Sequence, residues 1–594
     1  MDSKVALTKF LRWRYKYFTQ SQFRNIVSAI IGLLAGLAAV TLKNLTHFIQ
    51  VLLEGKFIFE FHKAFYFVFP IIGLLLVFLV KKYVIKKPVG HGIPSTLYAI
   101  SKLKSLMPRH QMWSSLITAP ITVGFGGSVG LEGPTVATGA ALGSNFGHTF
   151  HLNQATRTLL IGAAAAGAMS SIFKAPIAAI LFAVEIFSLD LTLASIIPLI
   201  LASITAILTS YFFSGDDVLF HFQLQDKFKL IDVGFFVLLG AITAMTSIYF
   251  SKVYFFVGNF FKRLGHPFKR LLVGGVALGV IVYFVPPLFG EGYEVINNLL
   301  IDNYSGVLKY NFFNIPTDNS VMILIMLSGL VLFKVFATSI TFGAGGVGGV
   351  FAPTLFTGSI TGYVFAKFVN YLNIFDHQLS NSNFALVGMA GLMAGVLHAP
   401  LTAIFLIAEI TGGYELFVPL MIVALISFII TKKYVPFNIY ATQLAERGEL
   451  ITHDKDKTVL ALMEFDKLIE QNFISLSPDM KFGDMLKNCV VNSNRNIFPV
   501  VDEENNFIGI VLLDNIRSSM FNDDLYETTT VDDFMQAAPE VIHYESDNMN
   551  EVMKKFQDSG AWNLPVLKDG KYIGFISKSK LLTAYRRKLI MVTS

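Results

Sequence analysis

Three short stretches of this chain share a design suited to holding a small anion. GLEGP (130–134) follows a Gly-rich run and leads into a small-residue helix, with Pro134 suited to its first turn. GVFAP (349–353) repeats that arrangement, and GHGIP (90–94) is a third Gly-flanked turn before a predicted helix. Glycines let successive backbone N–H groups converge, and a helix start adds partial positive charge. Glu132 sets a tethered carboxylate at such a point. It can therefore occupy the anion position itself and leave when protonated or displaced, which makes the movement sensitive to pH. The competing reading is a Glu that caps its own helix. The gate reading is preferred because an ionisable residue inside an apolar, Gly-rich segment is functional by default.

In the second element Phe351 stands where the first has Glu132. The N–H groups of Val350 and Phe351 are candidates to hydrogen-bond a dehydrated anion without a full charge that would trap it. In the third, His91 offers an N–H donor, or a positive charge when protonated, beside the backbone of Gly92 and Ile93. Tyr440, in NIYATQL, has two open readings: a phenol O–H donor to an anion, or an interfacial aromatic. Glu185 and Glu409, at the ends of two apolar runs, are expected to cap or anchor. FGAGGVGG (342–349) superficially matches a dinucleotide-binding loop but lacks the surrounding βαβ pattern.

The elements that must position these residues belong to a membrane. Of 594 residues 53% are hydrophobic and 15% charged, with 56 Phe and 46 Gly; average soluble domains carry about 25% charged residues. Residues 25–42, 64–80, 191–215, 233–251 and 271–290 carry no charge and are each long enough, or nearly so, to cross the hydrocarbon as helices. Between them lie apolar stretches broken by Gly and Pro, at 111–143, 158–186, 335–366 and 384–410. Irregular backbone at membrane depth survives only where protein or a watery cavity satisfies its polar groups, so these stretches are the expected permeation site. The lone cysteine, Cys489, excludes an intramolecular disulfide framework and any thiolate cluster. No metal cluster and no nucleophile paired with a base is present, so an enzyme is not expected.

The broken stretches occur in pairs. AGAMSSIFKAPIAAILFAVEI (166–186) aligns without gaps on AGLMAGVLHAPLTAIFLIAEI (390–410), and GSVGLEGPTVATGAALG (127–143) on GVGGVFAPTLFTGSITG (346–362), at offsets of 224 and 219 residues. The membrane part is thus a tandem of two similar halves, with a binding site expected between matching broken segments. Charge then changes sign along the chain. Residues 450–594 hold 16 Lys/Arg against 22 Asp/Glu, and the rest hold 31 against 19. The basic residues flank apolar runs, which argues against nucleic acid as a partner. Six Lys/Arg and one Asp precede the first apolar run, which places that end in the cytoplasm. In the tail, NIFPVVDEENNFIGIVL (496–512) and NLPVLKDGKYIGFIS (563–577) repeat one strand–turn–strand pattern, and two such units can bury one core against each other.

Taken together, these motifs resemble the CLC family of chloride channels and chloride/proton antiporters over nearly the whole chain. GHGIP, GLEGP and GVFAP stand in that family's order, and the tail is similar to a pair of CBS domains. The resemblance implies an all-α polytopic membrane domain of two inverted-topology repeats with broken helices, followed by a soluble α/β CBS pair. It implies boundaries at 1–445, 446–525 and 526–594, a homodimer with one pathway per subunit, and both termini in the cytoplasm. Glu132 matches the family's gating glutamate, Val350 and Phe351 its backbone anion ligands, His91 its serine ligand and Tyr440 its tyrosine. Three positions depart from the family pattern. His91 replaces Ser or Pro, Leu131 replaces a Lys or Arg, and Ile186 stands where many proton-coupled members carry a second Glu.

The expected function is transport of chloride or a similar small anion through a glutamate-gated path. Coupling to protons and uncoupled channel behaviour both stay open, and Ile186 tilts towards the latter. A CBS-regulated divalent-cation channel and a membrane-bound sensor are the rivals from other classes. The former would need several carboxylates facing a pore. Leu512 and Ser579 break the nucleotide-binding pattern of the two CBS units, so no adenine nucleotide or other cofactor is expected. The partners expected are a small inorganic anion, membrane lipid and a second copy of the chain, with protons left open. The compact tail suggests a microbial plasma (inner) membrane.

Overall fold

Gly and Pro divide the apolar stretches into helices much shorter than a continuous reading would give. The computed structural model describes residues 9, 12–14, 16–53, 62–90, 92–190, 192–215, 220, 228–308, 319–374, 377–445, 460, 463 and 465–593. The chain forms two units, Met1–Leu450 and Ile451–Ser594.

The first unit begins with helices α1 (Gln20–Leu53), α2 (His62–Leu79), α3 (Ile93–Lys102), α4 (Ser114–Gly124), α5 (Glu132–Thr149), α6 (Gln154–Phe173), α7 (Pro176–Phe187) and α8 (Leu193–Ser214). It continues with α9 (Val233–Arg263), α10 (Pro267–Phe284), α11 (Tyr293–Leu300), α12 (Tyr304–Leu308), α13 (Ser320–Gly343), α14 (Phe351–Leu372), α15 (Asn381–Leu397), α16 (Pro400–Ile410), α17 (Phe417–Tyr434) and α18 (Ile439–Ala445). Eight helical segments of the described residues are long and apolar enough to span a membrane, whereas α4, α7, α15 and α16 are too short. The breaks recur at equivalent places. Lys174 and His398 both turn left-handed (φ 54° and 53°), and a proline then starts α7 and α16.

Packing repeats with the same offsets as the sequence. A Cβ on Gly139 or Gly143 of α5 would collide with the carbonyl oxygen of Ala164 or Leu160 on α6. In the second half, Gly358 and Gly362 of α14 stand in the same relation to Gly388 and Phe384 of α15. Small residues here let backbones touch, the mode of association available to helices in lipid.

The halves also exchange contacts reciprocally. Ser128 N–H donates to Thr341 Oγ1 (3.2 Å) and Val347 N–H to Thr122 Oγ1 (3.0 Å). Glu185 accepts the N–H groups of Leu401 and Thr402 (3.0 and 2.8 Å), while Glu409 accepts those of Ile177 and Ala178 (3.1 and 2.8 Å). Each carboxylate thus caps the start of the other half's short helix, satisfying orphan donors and complementing the helix dipole. Such mutual pairing is the signature of two-fold related halves.

In the second unit, β1 (Ile497–Val501) and β2 (Phe507–Leu512) form an antiparallel hairpin. β3 (Ile542–His543) runs parallel to β4 (Asn563–Lys568), which pairs antiparallel with β5 (Lys571–Ser577). Helix α19 (Met549–Ser559) covers the second sheet, and α20 (Lys578–Thr593) follows it. The expectation of one shared core is corrected. Two main cores form, and each draws on both repeats. Leu460, Met463 and Leu468 pack with Ile542, Val566 and Ile576, and Val531, Phe534 and Met535 pack with Phe498, Val500 and Val511. The cause is an exchange of leading segments, with Glu470 bridging to Phe575 and Gln536 to Ile510. A third, smaller cluster around Ile497, Ile510 and Phe575 seals the seam.

Two predictions follow from this packing. Gly362→Leu forces backbones apart where no side chain fits, at a cost of about 1–3 kcal/mol or more. It should abolish a monodisperse peak in size exclusion, while Gly258→Ala, with open space around it, should leave that peak unchanged. In the second unit Glu470 accepts from Arg495 Nη2 (2.7 Å) and Ser577 Oγ (2.6 Å). Burial works against its charge, but the Ser577 hydroxyl and Arg495 guanidinium outweigh that and hold its carboxyl below the ordinary value. A carboxylate depressed in the folded state contributes stability above its unfolded pKa and loses it as pH falls through the folded one. Glu470→Gln should therefore destabilise this unit at neutral pH by about 1.5 kcal/mol. The difference should close below about pH 4, as read by hydrogen exchange of the full-length protein at both pH values.

Candidate functional site

The site is built where helix starts from both halves meet. Gly130 N–H donates to Gly349 O at 2.9 Å and Gly349 N–H to Gly130 O at 2.7 Å, locking the two Gly-rich turns to each other. Space at this junction excludes side chains. A Cβ on Gly133 would lie 3.0 Å from the Gly349 Cα, and one on Gly349 would lie 2.7 Å from the Gly133 nitrogen. Immediately beyond the bridge, α5 starts at Glu132 and α14 at Phe351. α3 starts at Ile93, after Gly92 in a left-handed conformation (φ 69°) close to the Gly133 carbonyl. Three helix N-termini therefore point at one region, each with first-turn N–H groups that no intrahelical partner satisfies.

Glu132 lies in that region, 1% exposed. Tyr293, from the first turn of α11, donates its phenol O–H to Glu132 Oε1. The carboxylate rests against Gly130 and Gly349, and the Ala352 N–H of α14 faces it. A carboxylate thus lies against the helix starts, with Oε1 bonded to Tyr293 and Oε2 without a hydrogen-bond partner among the described residues. Phe351 turns its ring away to pack on Phe173 and Phe182 (ring centroids 5.2 and 6.2 Å), which leaves its main chain at the junction.

On one side of Glu132 a cavity of about 20 Å³ is lined by Ile93, Pro94, Gly133, Gly348, Gly349, Val350, Ile439 and Tyr440, with Tyr254, Phe342 and Gln443. That volume suffices for one water-sized species. Tyr440 is buried, and its hydroxyl has no hydrogen-bond partner among the described residues. An unpaired buried hydroxyl costs about 1–3 kcal/mol, and this one stands in the wall of the cavity. Asn438 caps the short helix α18 by accepting from Tyr440 and Ala441 N–H (3.1 and 2.7 Å), which fixes where the phenol stands. Of the sequence-derived candidates, the structure brings Glu132, Gly92, Ile93, Val350, Phe351 and Tyr440 together. His91 lies outside the described residues.

On the other side is a group of residues that sequence reasoning missed. Glu291 Oε1 accepts the Leu131 N–H at 3.0 Å. Lys334, fully buried in α13, donates to the Gly290 carbonyl at 3.0 Å and lies over the Phe356 ring. A second cavity, about 50 Å³, is lined by Glu132, Glu291, Tyr293, Lys43, Ser171 and Ser210 among others. The signals were present as a lone Lys within the apolar run 320–343 and a Gly-flanked acid in GEGYE (290–294). Among the described residues no cluster of His, Cys, Asp and Glu could hold a metal ion.

Comparison with known proteins bears on the family and the fold. Residues 72–432 match the family described as voltage gated chloride channel, and residues 466–522 and 531–587 match the CBS domain. The chain is 27% identical over 417 residues to the H(+)/Cl(−) exchange transporter ClcA of Vibrio cholerae serotype O1 (strain M66-2), covering 67% of this chain and 84% of that protein. In three dimensions it resembles a slow cyanobacterial Cl−/H+ antiporter (TM-score 0.60, 22% identity, 72% of this chain and 98% of that one). It also resembles a eukaryotic CLC transporter (TM-score 0.58, 17% identity, 94% of this chain and 97% of that one).

Proposed function

Since the chain belongs to the voltage-gated chloride channel (CLC) family, an integral multi-pass membrane family of anion transporters, we propose that it carries chloride or a similar small anion through a path gated by Glu132. The observation that carries this reading is the Glu132 carboxylate seated between the N-termini of α5 and α14, beside a cavity with an unpartnered Tyr440 hydroxyl. An anion and a carboxylate want the same donors, so the two compete for one place. Protonation removes the charge that holds the carboxylate there. The freed side chain swings aside, and the anion takes its place against the backbone of Val350 and Phe351, with Gly92, Ile93 and Tyr440 completing the site.

The reading extends to a homodimer with one such path per subunit, in a plasma (inner) membrane. Both termini are in the cytoplasm, on the basis of the Lys/Arg-rich opening segment. The CBS pair then serves to brace the dimer. Coupling to protons is favoured by the exchangers among the relatives. Uncoupled flow is the second reading, favoured by Ile186, a buried residue that cannot carry a proton.

The test is flux from chloride-loaded liposomes containing the purified protein, with external chloride and pH recorded together. Glu132→Gln should make flux independent of pH to within about two-fold, since the titrating gate is gone; a wild-type pH response in this variant would overturn the gate. A chloride gradient that drives protons uphill establishes exchange, whereas chloride efflux that requires a potassium ionophore and moves no protons establishes a channel. His91→Ser should change the permeability ratios among halides, and identical ratios would remove His91 from the selectivity site.

A further inference from the structure

We propose that Glu291 is a positioning residue of the Glu132 gate: it holds the peptide that carries the gate and sets a second carboxylate beside it, so that the pair shares the proton that opens the path. This rests on the reading of Glu132 as the gate. Glu291 Oε1 accepts the N–H of Leu131, the residue immediately before Glu132. Its position in the chain, two residues before Tyr293, ties the same turn to the gate a second time, because the Tyr293 hydroxyl donates to Glu132. One rigid turn therefore grips the gate through both its main chain and its side chain.

The chemistry of the surrounding space gives this grip a consequence. Glu132 and Glu291 line one cavity of about 50 Å³, where two adjacent negative charges repel far more than they do in water. One proton between them relieves that repulsion. The titratable and charged groups facing the pair are Tyr293 of α11, Lys334 of α13 and Lys43 of α1, with Tyr440 of α18 on the far side of the gate. Lys334 supports the turn from behind, with Nζ on the Gly290 carbonyl and against Gly292, which places a basic side chain next to Glu291. Lys43 of α1 lines the same cavity. With Leu131 apolar, the second carboxylate on this side of the gate comes from Glu291.

The experiment is chloride flux against external pH in liposomes holding the full-length protein, with Glu291→Gln, Glu291→Asp and Glu132→Gln compared. Gln keeps an oxygen for the Leu131 N–H but neither the charge nor the exchangeable proton. The expected result is that Glu291→Gln moves the midpoint of acid activation to lower pH by about one unit or more, and that Glu291→Asp restores it. A wild-type midpoint in Glu291→Gln, or equal shifts in Gln and Asp, would overturn the proposal, since either outcome makes Glu291 a backbone cap only. If the Gln variant yields no folded protein, Glu291→Asn reads the same midpoint. Loss of pH response in Glu132→Gln together with an unmoved Glu291→Gln defeats this proposal alone, whereas a wild-type response in Glu132→Gln defeats the gate reading itself.

Discussion

A backbone N–H at membrane depth has no water to bond, and the first unit depends on how that requirement is met where its helices break. Two Gly-rich turns solve it for each other through the paired hydrogen bonds between Gly130 and Gly349. The Thr122 and Thr341 hydroxyls serve the next N–H groups across the same junction, and the crossed caps of Glu185 and Glu409 serve the short helices α7 and α16. Every one of these partners comes from the opposite half. Neither half could keep its broken helices in a membrane by itself, so the break and the two-fold relation are a single physical fact.

What remains after this satisfaction is a small surplus of donors, aimed at one region. The first turns of α5 and α14 point there with partial positive charge, and the residues filling the space are a carboxylate on one side and a phenol on the other. A full cation holds an anion more tightly than amide dipoles do, because the dipoles offer only partial charge. The charged residues, Lys334, Glu291 and Lys43, are set back behind the turn at 290–293. They shape the field around Glu132 without occupying the position that the N–H groups define.

The C-terminal unit follows the same logic of mutual dependence in water. Each small repeat would bury too little apolar surface alone. The repeats exchange leading segments, so that Leu468 completes the second core and Val531 the first. Glu470 fastens the exchange through Arg495 of one repeat and Ser577 of the other. The Ser577 hydroxyl is given to that carboxylate.

The sequence by itself determined what depends on local chain properties. Runs of uncharged residues set the long helices, Pro176 and Pro400 set where short helices begin, and the two offsets of 224 and 219 residues reappear in the glycine contacts of α5 with α6 and α14 with α15. Strand–turn–strand patterns in the tail were likewise legible, because alternation and turn residues act over a few positions. Only the tertiary structure decided which turn meets which. That the Gly130 turn pairs with the Gly349 turn, that Glu185 and Glu409 cross over, that Tyr293 reaches Glu132 and that Glu291 holds Leu131 are all contacts between residues about 160 or more apart in sequence. No local periodicity encodes them. They exist because buried donors and acceptors must find partners somewhere, and the packing of the two halves fixes where.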